Sequence, residues 1–137
     1  MNERDAVRLR RTEAFLALLR YTRGQIDCYG LSAPRILARC APELLSACGL
    51  PAGAVPDSFE AFLAACGKED GLSFEILKGF AEEFGRQYRQ EQLAECDRCI
   101  GLLEERRDVM RKELPNRRRL HVTLCLSGAA LAVILLL

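Results

Sequence analysis

The sequence predicts an all-α protein: a compact helical bundle whose long last helix runs into a C-terminal transmembrane helix. Three observations carry this. Apolar residues recur at three- and four-residue steps through nearly the whole chain, the period of one helix face. Gly and Pro punctuate most of those runs at their ends. The final eighteen residues, Leu120 to Leu137, hold no charged side chain and ten Leu, Ile or Val. No strand pattern, low-complexity run or fixed-period repeat is evident.

The first helix is expected from about Glu3 to Tyr29, with Val7, Phe15, Leu18, Leu19, Thr22, Ile26 and Tyr29 near one face. Gly30 is its natural stop, because only glycine enters the left-handed region without steric cost. Ser32 is the expected cap of the next helix, and Pro34 sits in its first turn, where a missing N–H is harmless. Pro42 should kink or restart that helix. Residues 49–56 (GLPAGAVP) read as a loop. Asp57 with Glu60 resembles a capping box for a short helix ending at Gly67. After a turn at 68–71, Ser73 is expected to cap a helix carrying Ile76, Leu77, Phe80 and Phe84. Gly85 interrupts, and the longest helix follows from about Arg86. Its seam of Leu93, Cys96, Ile100, Leu103, Met110 and Leu114 is heptad-like, and is expected to pack against the first helix inside the domain. Pro115 should kink the chain just before the membrane.

Residues 1–119 are therefore assigned to one cytoplasmic helical domain and 120–137 to the span. Eighteen helical residues extend about 27 Å, close to a bilayer's hydrocarbon thickness. Arg117, Arg118 and Arg119 immediately precede the span, as membrane-flanking residues retained on the cytoplasmic side. The chain opens on charge, Met1-Asn2-Glu3-Arg4-Asp5, with no apolar segment of signal-peptide type behind it. A net charge of +1 offers no field for nucleic acid. Seven cysteines at unpaired spacings, facing a reducing compartment, are expected to stay free thiols.

Cys96-Asp97-Arg98-Cys99 is a C-x-x-C, but it lies inside a long helix rather than opening one after a strand, where redox pairs belong. Zinc would need a second ligand pair, and the only histidine, His121, falls in the span. Acidic pairs such as Glu82-Glu83 and Glu104-Glu105 read as solvated faces. There is no Gly-rich phosphate loop and no nucleophile elbow. No metal, cofactor, catalytic residue or small-molecule substrate is expected.

The segment Phe84-Gly85-Arg86-Gln87-Tyr88-Arg89-Gln90-Glu91-Gln92 stands apart, as a glycine that separates two helices and is followed by a dense polar run. It resembles the interhelical turn Leu-Gly-Arg-Ser/Thr-Asp-Arg-Glu-Gly-Gln of the stage III sporulation protein AB family of endospore-forming bacteria. Phe84, Gly85, Arg86, Arg89 and Gln92 fit that turn, while Tyr88 and Glu91 replace its Asp and Gly. The run Ala132 to Leu137 and the charged helix before it are similar to the family's terminal half. Residues 6–38 resemble its first two helices more loosely. The family begins with an apolar membrane segment, and Arg4, Arg8, Arg10 and Arg11 have the look of that segment's basic flank, so a preceding span is expected.

The resemblance implies a domain similar to the cytoplasmic domain of type II secretion inner-membrane platform proteins. It further implies a non-enzymatic scaffold in the channel joining mother cell to forespore, in the cell membrane on the mother-cell side. Its partners would be other stage III sporulation channel proteins, including a secretion-type ATPase. On geometry, the turn is expected at the end of the domain farthest from the bilayer. Gly85 would fix its shape there, and Arg86, Arg89 and Gln92 would serve as partner-binding donors. Two other readings compete. A tail-anchored pore or death regulator needs a buried central apolar helix, whereas the helices here read as amphipathic. A membrane-bound thiol protein needs an activated thiol at Cys96 or Cys99.

Overall fold

Helix α1, Glu3–Tyr29, is the longest element among the described residues and organises the rest. In a computed structural model, which describes residues 3–53, 55–67 and 71–113, six helices follow in order. They are α1, α2 (Ala33–Arg39), α3 (Pro42–Ala47), α4 (Phe59–Cys66), α5 (Gly71–Glu83) and α6 (Arg89–Glu113). No strand occurs among the described residues. The expected span at 120–137 and its flank Arg117, Arg118 and Arg119 lie outside the described residues, as does Leu114. No helix among the described residues is long and apolar enough to cross a membrane.

The punctuation residues act as their chemistry dictates. Gly30 takes a φ of 62° and donates its N–H to the Ile26 carbonyl at 3.0 Å, closing α1. Pro34 lies in the first turn of α2, and Pro42 opens α3 rather than kinking a continuous helix. Two capping expectations are corrected. Ser58, not Asp57, caps α4: its Oγ accepts the Ala61 N–H at 3.1 Å, a single cap rather than a capping box, since Ala61 has no acceptor to return. Ser73 lies inside α5, which already begins at Gly71; it is buried, with its hydroxyl 3.4 Å from that of Thr12. Ser32 holds an extended backbone before α2 without a side-chain cap bond.

Helices α1 and α6 form an antiparallel hairpin. Among the described residues, four ion pairs cross it: Asp27–Arg89, Arg23–Asp97, Arg20–Glu104 and Glu13–Arg111. Partner numbers fall on α6 as they rise on α1, which defines the direction. Each pair is solvent-exposed and contributes about 0–1 kcal/mol, so they set register more than stability. Adhesion comes from beneath, where Leu16, Leu19 and Ile26 of α1 and Cys96, Cys99 and Leu103 of α6 join one buried core. The seam of α6 thus faces α1 within the domain, with Ile100 only partly buried and Cys99 added to it.

The buried face of α1 is wider than its periodicity indicates. Thr12, Ala14, Phe15, Leu16, Leu18, Leu19, Thr22 and Ile26 are buried, an arc of about 200° at 3.6 residues per turn. The reason is position: α6 packs on one side of α1, and α3 together with the α4–α5 pair occupies the other. The remaining arc carries Arg10, Glu13, Arg20 and Asp27, so α1 is central yet amphipathic. Tyr29, expected on the inner face, is 64% exposed beyond the end of the core. Phe59, Phe80 and Phe84 make edge and tilted ring contacts at 4.8–5.6 Å, and Phe15 meets Phe62 edge-on at 6.3 Å.

Candidate functional site

The connection between α5 and α6 is built from residues that each satisfy a specific backbone need. Phe84 joins the Phe59–Phe80 cluster, which anchors the start of the turn in the core. Gly85 then takes a φ of 86°. A Cβ at this position would meet nothing within 4 Å, so glycine is required by backbone conformation rather than crowding. The Gly85 N–H donates to Gln92 Oε1 at 2.6 Å, bridging the turn back onto the first turn of α6.

Helix α6 starts at Arg89, three residues later than expected, because the chain spends Gly85 to Tyr88 reversing direction. The Tyr88 carbonyl accepts the Gln92 N–H, which makes Tyr88 the N-cap. Tyrosine has no short acceptor to cap with, and Asp occupies this place in the family turn. Here Glu91 compensates: its carboxylate accepts the Tyr88 N–H at 3.0 Å, the reciprocal half of a capping box. Tyr88 and Glu91, the two positions that depart from the turn this segment resembles, are thus bonded to each other.

Arg89 reaches across to α1. One guanidinium nitrogen donates to the Asp27 carbonyl at 2.7 Å and to its carboxylate at 2.6 Å. Helix α1 has no basic residue in its own last turn, and Arg89 supplies the positive charge that its C-terminal dipole favours. Of the four residues singled out by sequence, Gly85, Arg89 and Gln92 are thus occupied in shaping and holding the turn. Arg86 differs: it is exposed and makes no ion pair among the described residues. Beside it, Tyr88 is 83% exposed. Tyr29, the last residue of α1, lies at this same end, its ring 5.4 Å from the Arg39 guanidinium. Periodicity placed Tyr29 inward and gave Tyr88 no role; only the substitution of Tyr for the family's Asp marked it.

Replacing Gly85 tests this construction. Gly85→Ala is expected to cost about 1–2 kcal/mol, the penalty for an L-residue in the left-handed region, and Gly85→Asn distinctly less. Urea denaturation followed by circular dichroism reads the difference. Equal stability of all three chains would mean that the turn tolerates another conformation.

The C-x-x-C lies within α6 with both sulfurs buried. Burial pushes Cys96 and Cys99 up to about 12, and the neighbouring Asp97 and Glu95 carboxylates respectively add to it. Cys99 Sγ sits 3.6 Å from Glu95 and 4.0 Å from the Ile76 carbonyl. These are neutral thiols used as small core side chains, the opposite of an activated nucleophile. Among the described residues, no three His, Cys, Asp or Glu side chains are grouped to hold a metal ion. His121 lies outside the described residues.

The class defined by this geometry is an all-helical domain built on an antiparallel hairpin that presents a stapled turn at one end. The family model for stage III sporulation protein AB matches residues 51–137, more than half of the chain and the whole of that turn. The chain belongs to that family and is a sporulation protein. No curated protein and no solved structure matches it significantly.

Proposed function

We propose that this protein is a non-enzymatic, membrane-anchored platform component of the channel joining mother cell to forespore. In this reading it links a secretion-type ATPase to the membrane parts of the channel. The C-terminal apolar run 120–137 is the anchor, Arg117, Arg118 and Arg119 lie at the lipid headgroups, and the helical domain faces the mother-cell cytoplasm. Its helical domain resembles the cytoplasmic domain of type II secretion inner-membrane platform proteins, and the turn at 85–92 is the docking surface.

The observation that best supports the reading is the stapled turn itself. Hydrogen bonds from Gly85, Tyr88 and Arg89 hold it rigid, so docking costs little further ordering. It stands beside Asp27 of α1, at the opposite end of the hairpin from Arg4, Arg8, Arg10 and Arg11. Sixteen helical residues separate Arg11 from Asp27, about 24 Å along the axis. The docking donors are refined from the sequence expectation: Arg86 and Tyr88 meet the partner, while Arg89 and Gln92 preserve the shape. Exposed Tyr and Arg are the side chains that most often dominate interfaces.

The test is capture of the channel's ATPase by the full chain in phosphatidylcholine vesicles. Arg86→Glu with Tyr88→Ala is expected to weaken capture by about a hundredfold, as loss of two interface anchors does, with helicity unchanged. Undiminished capture by the folded double variant would overturn the docking assignment.

A further inference from the structure

At the opposite end of α1, two arginines stand where its buried face should carry apolar residues. Arg8 and Arg11 fall inside the buried arc that Phe15, Leu18, Thr22 and Ile26 continue toward Tyr29, and both are half-buried. They line a cleft between α1, α4 and α5. Its walls are Phe15, Leu63, Phe74 and Leu77, and its polar rim includes Thr12 and Ser73.

The cleft is arranged around Arg11. Gly49, at a φ of 109°, lies so close that a Cβ there would fall 2.4–2.9 Å from the Arg11 guanidinium. The same guanidinium donates to the Cys66 carbonyl at 3.0 Å. The loop after α3 and the end of α4 therefore hold it in place. Arg8, one helical turn away, is less well served: its Nε is buried and has no hydrogen-bond partner. Each guanidinium carries five N–H donors and no acceptor. Among the described residues, the Cys66 carbonyl is the one acceptor that bonds either guanidinium. A buried, unmatched donor on a cation costs free energy that an oxyanion would recover.

From this we infer that the Arg8–Arg11 cleft is a phosphate-binding site. The two forks bracket a tetrahedral oxyanion, and the apolar walls accept the organic part of a phosphate ester. An anionic phospholipid headgroup and a free phosphate share this chemistry. The site involves none of the residues of the α5–α6 turn, so it stands or falls independently of ATPase docking.

The full chain in phosphatidylcholine nanodiscs is titrated calorimetrically, with inorganic phosphate in one arm and dihexanoylphosphatidylglycerol in the other, empty nanodiscs serving as blank. A saturable response near one per chain is expected in at least one arm. Saturation by the lipid alone identifies a headgroup site; saturation by inorganic phosphate identifies a free-phosphate site. Arg8→Gln should weaken binding by about tenfold, the scale of one charge-assisted bond. Arg10→Gln, the same charge change on the exposed side of α1, should leave it unaltered. Should Arg8→Gln lose helicity, Arg8→Lys decides, because it keeps the charge but not the fork. No saturable response in either arm overturns the site. So does equal weakening by Arg8→Gln and Arg10→Gln, or unaltered binding by Arg8→Lys.

Discussion

Phe62→Ala is expected to lower the free energy of unfolding by about 3–5 kcal/mol, the range for deleting a fully buried phenyl ring. Phe62 has no solvent exposure and meets Phe15 edge-on. It is the point where α4 seats against α1. Its surroundings, Leu18 and Leu19 of α1 with Leu77 and Phe80 of α5, already border a small void. Those neighbours belong to separate helices held by other contacts, so they will not collapse into the space. A single domain is typically stable by only about 5–15 kcal/mol, so the variant should approach unfolding at ambient temperature. Urea denaturation followed by circular dichroism measures this. Tyr88→Ala is the internal contrast: an exposed ring of the same class, expected to change stability by less than about 0.5 kcal/mol. A loss below about 1 kcal/mol for Phe62→Ala would mean that α4 does not pack as described.

The buried thiols make stability fall steeply in alkali. Burial raises Cys96 and Cys99 from the ordinary value of 9.0 to about 12, and Cys66 to about 11. In the unfolded chain these thiols ionise near the ordinary value, while the folded protein keeps them neutral. Their contribution is therefore complete below about pH 9 and is lost as the pH rises from there toward 12. At about 1.4 kcal/mol per tenfold change in acidity, the loss summed over the three thiols has an upper bound on the order of 10 kcal/mol. Cys96→Ala with Cys99→Ala should cost about 1–2 kcal/mol at pH 7, through two lost sulfurs. The same variant should fall less steeply between pH 9 and 12. Parallel stability profiles for the two chains would contradict burial as the cause.

Much of the helical framework was legible because its signals are local. Gly30, Pro34, Pro42, Gly67 and Gly85 punctuate helices through constraints on one or two residues' dihedral angles. The errors arose where two local readings were equally good. Asp57 and Ser58 are both strong caps, and the geometry of one turn selected Ser58. Ser73 resembles a cap by composition, but α5 starts earlier and the buried Thr12 hydroxyl takes Ser73 as a neighbour. The width of the α1 face was missed for a different reason. A period of 3.6 marks where one partner lies, and α1 has partners on both sides.

The sequence by itself determined the helical class, the order of the helices and, through Phe84-Gly85-Arg86 and Arg89, the family. Those properties depend on residues within about one turn of each other, so composition and spacing express them directly. Tertiary structure alone decided what the arginines do. Arg89 is held by Asp27, 62 positions away, and Arg11 by a carbonyl 55 positions away. Arg86 is left exposed beside Tyr88, and the Arg8 Nε is buried without an acceptor. A guanidinium on a long flexible stem takes its role from whichever acceptor the packed helices bring within reach. That acceptor comes from helix packing between distant segments, which no local pattern encodes.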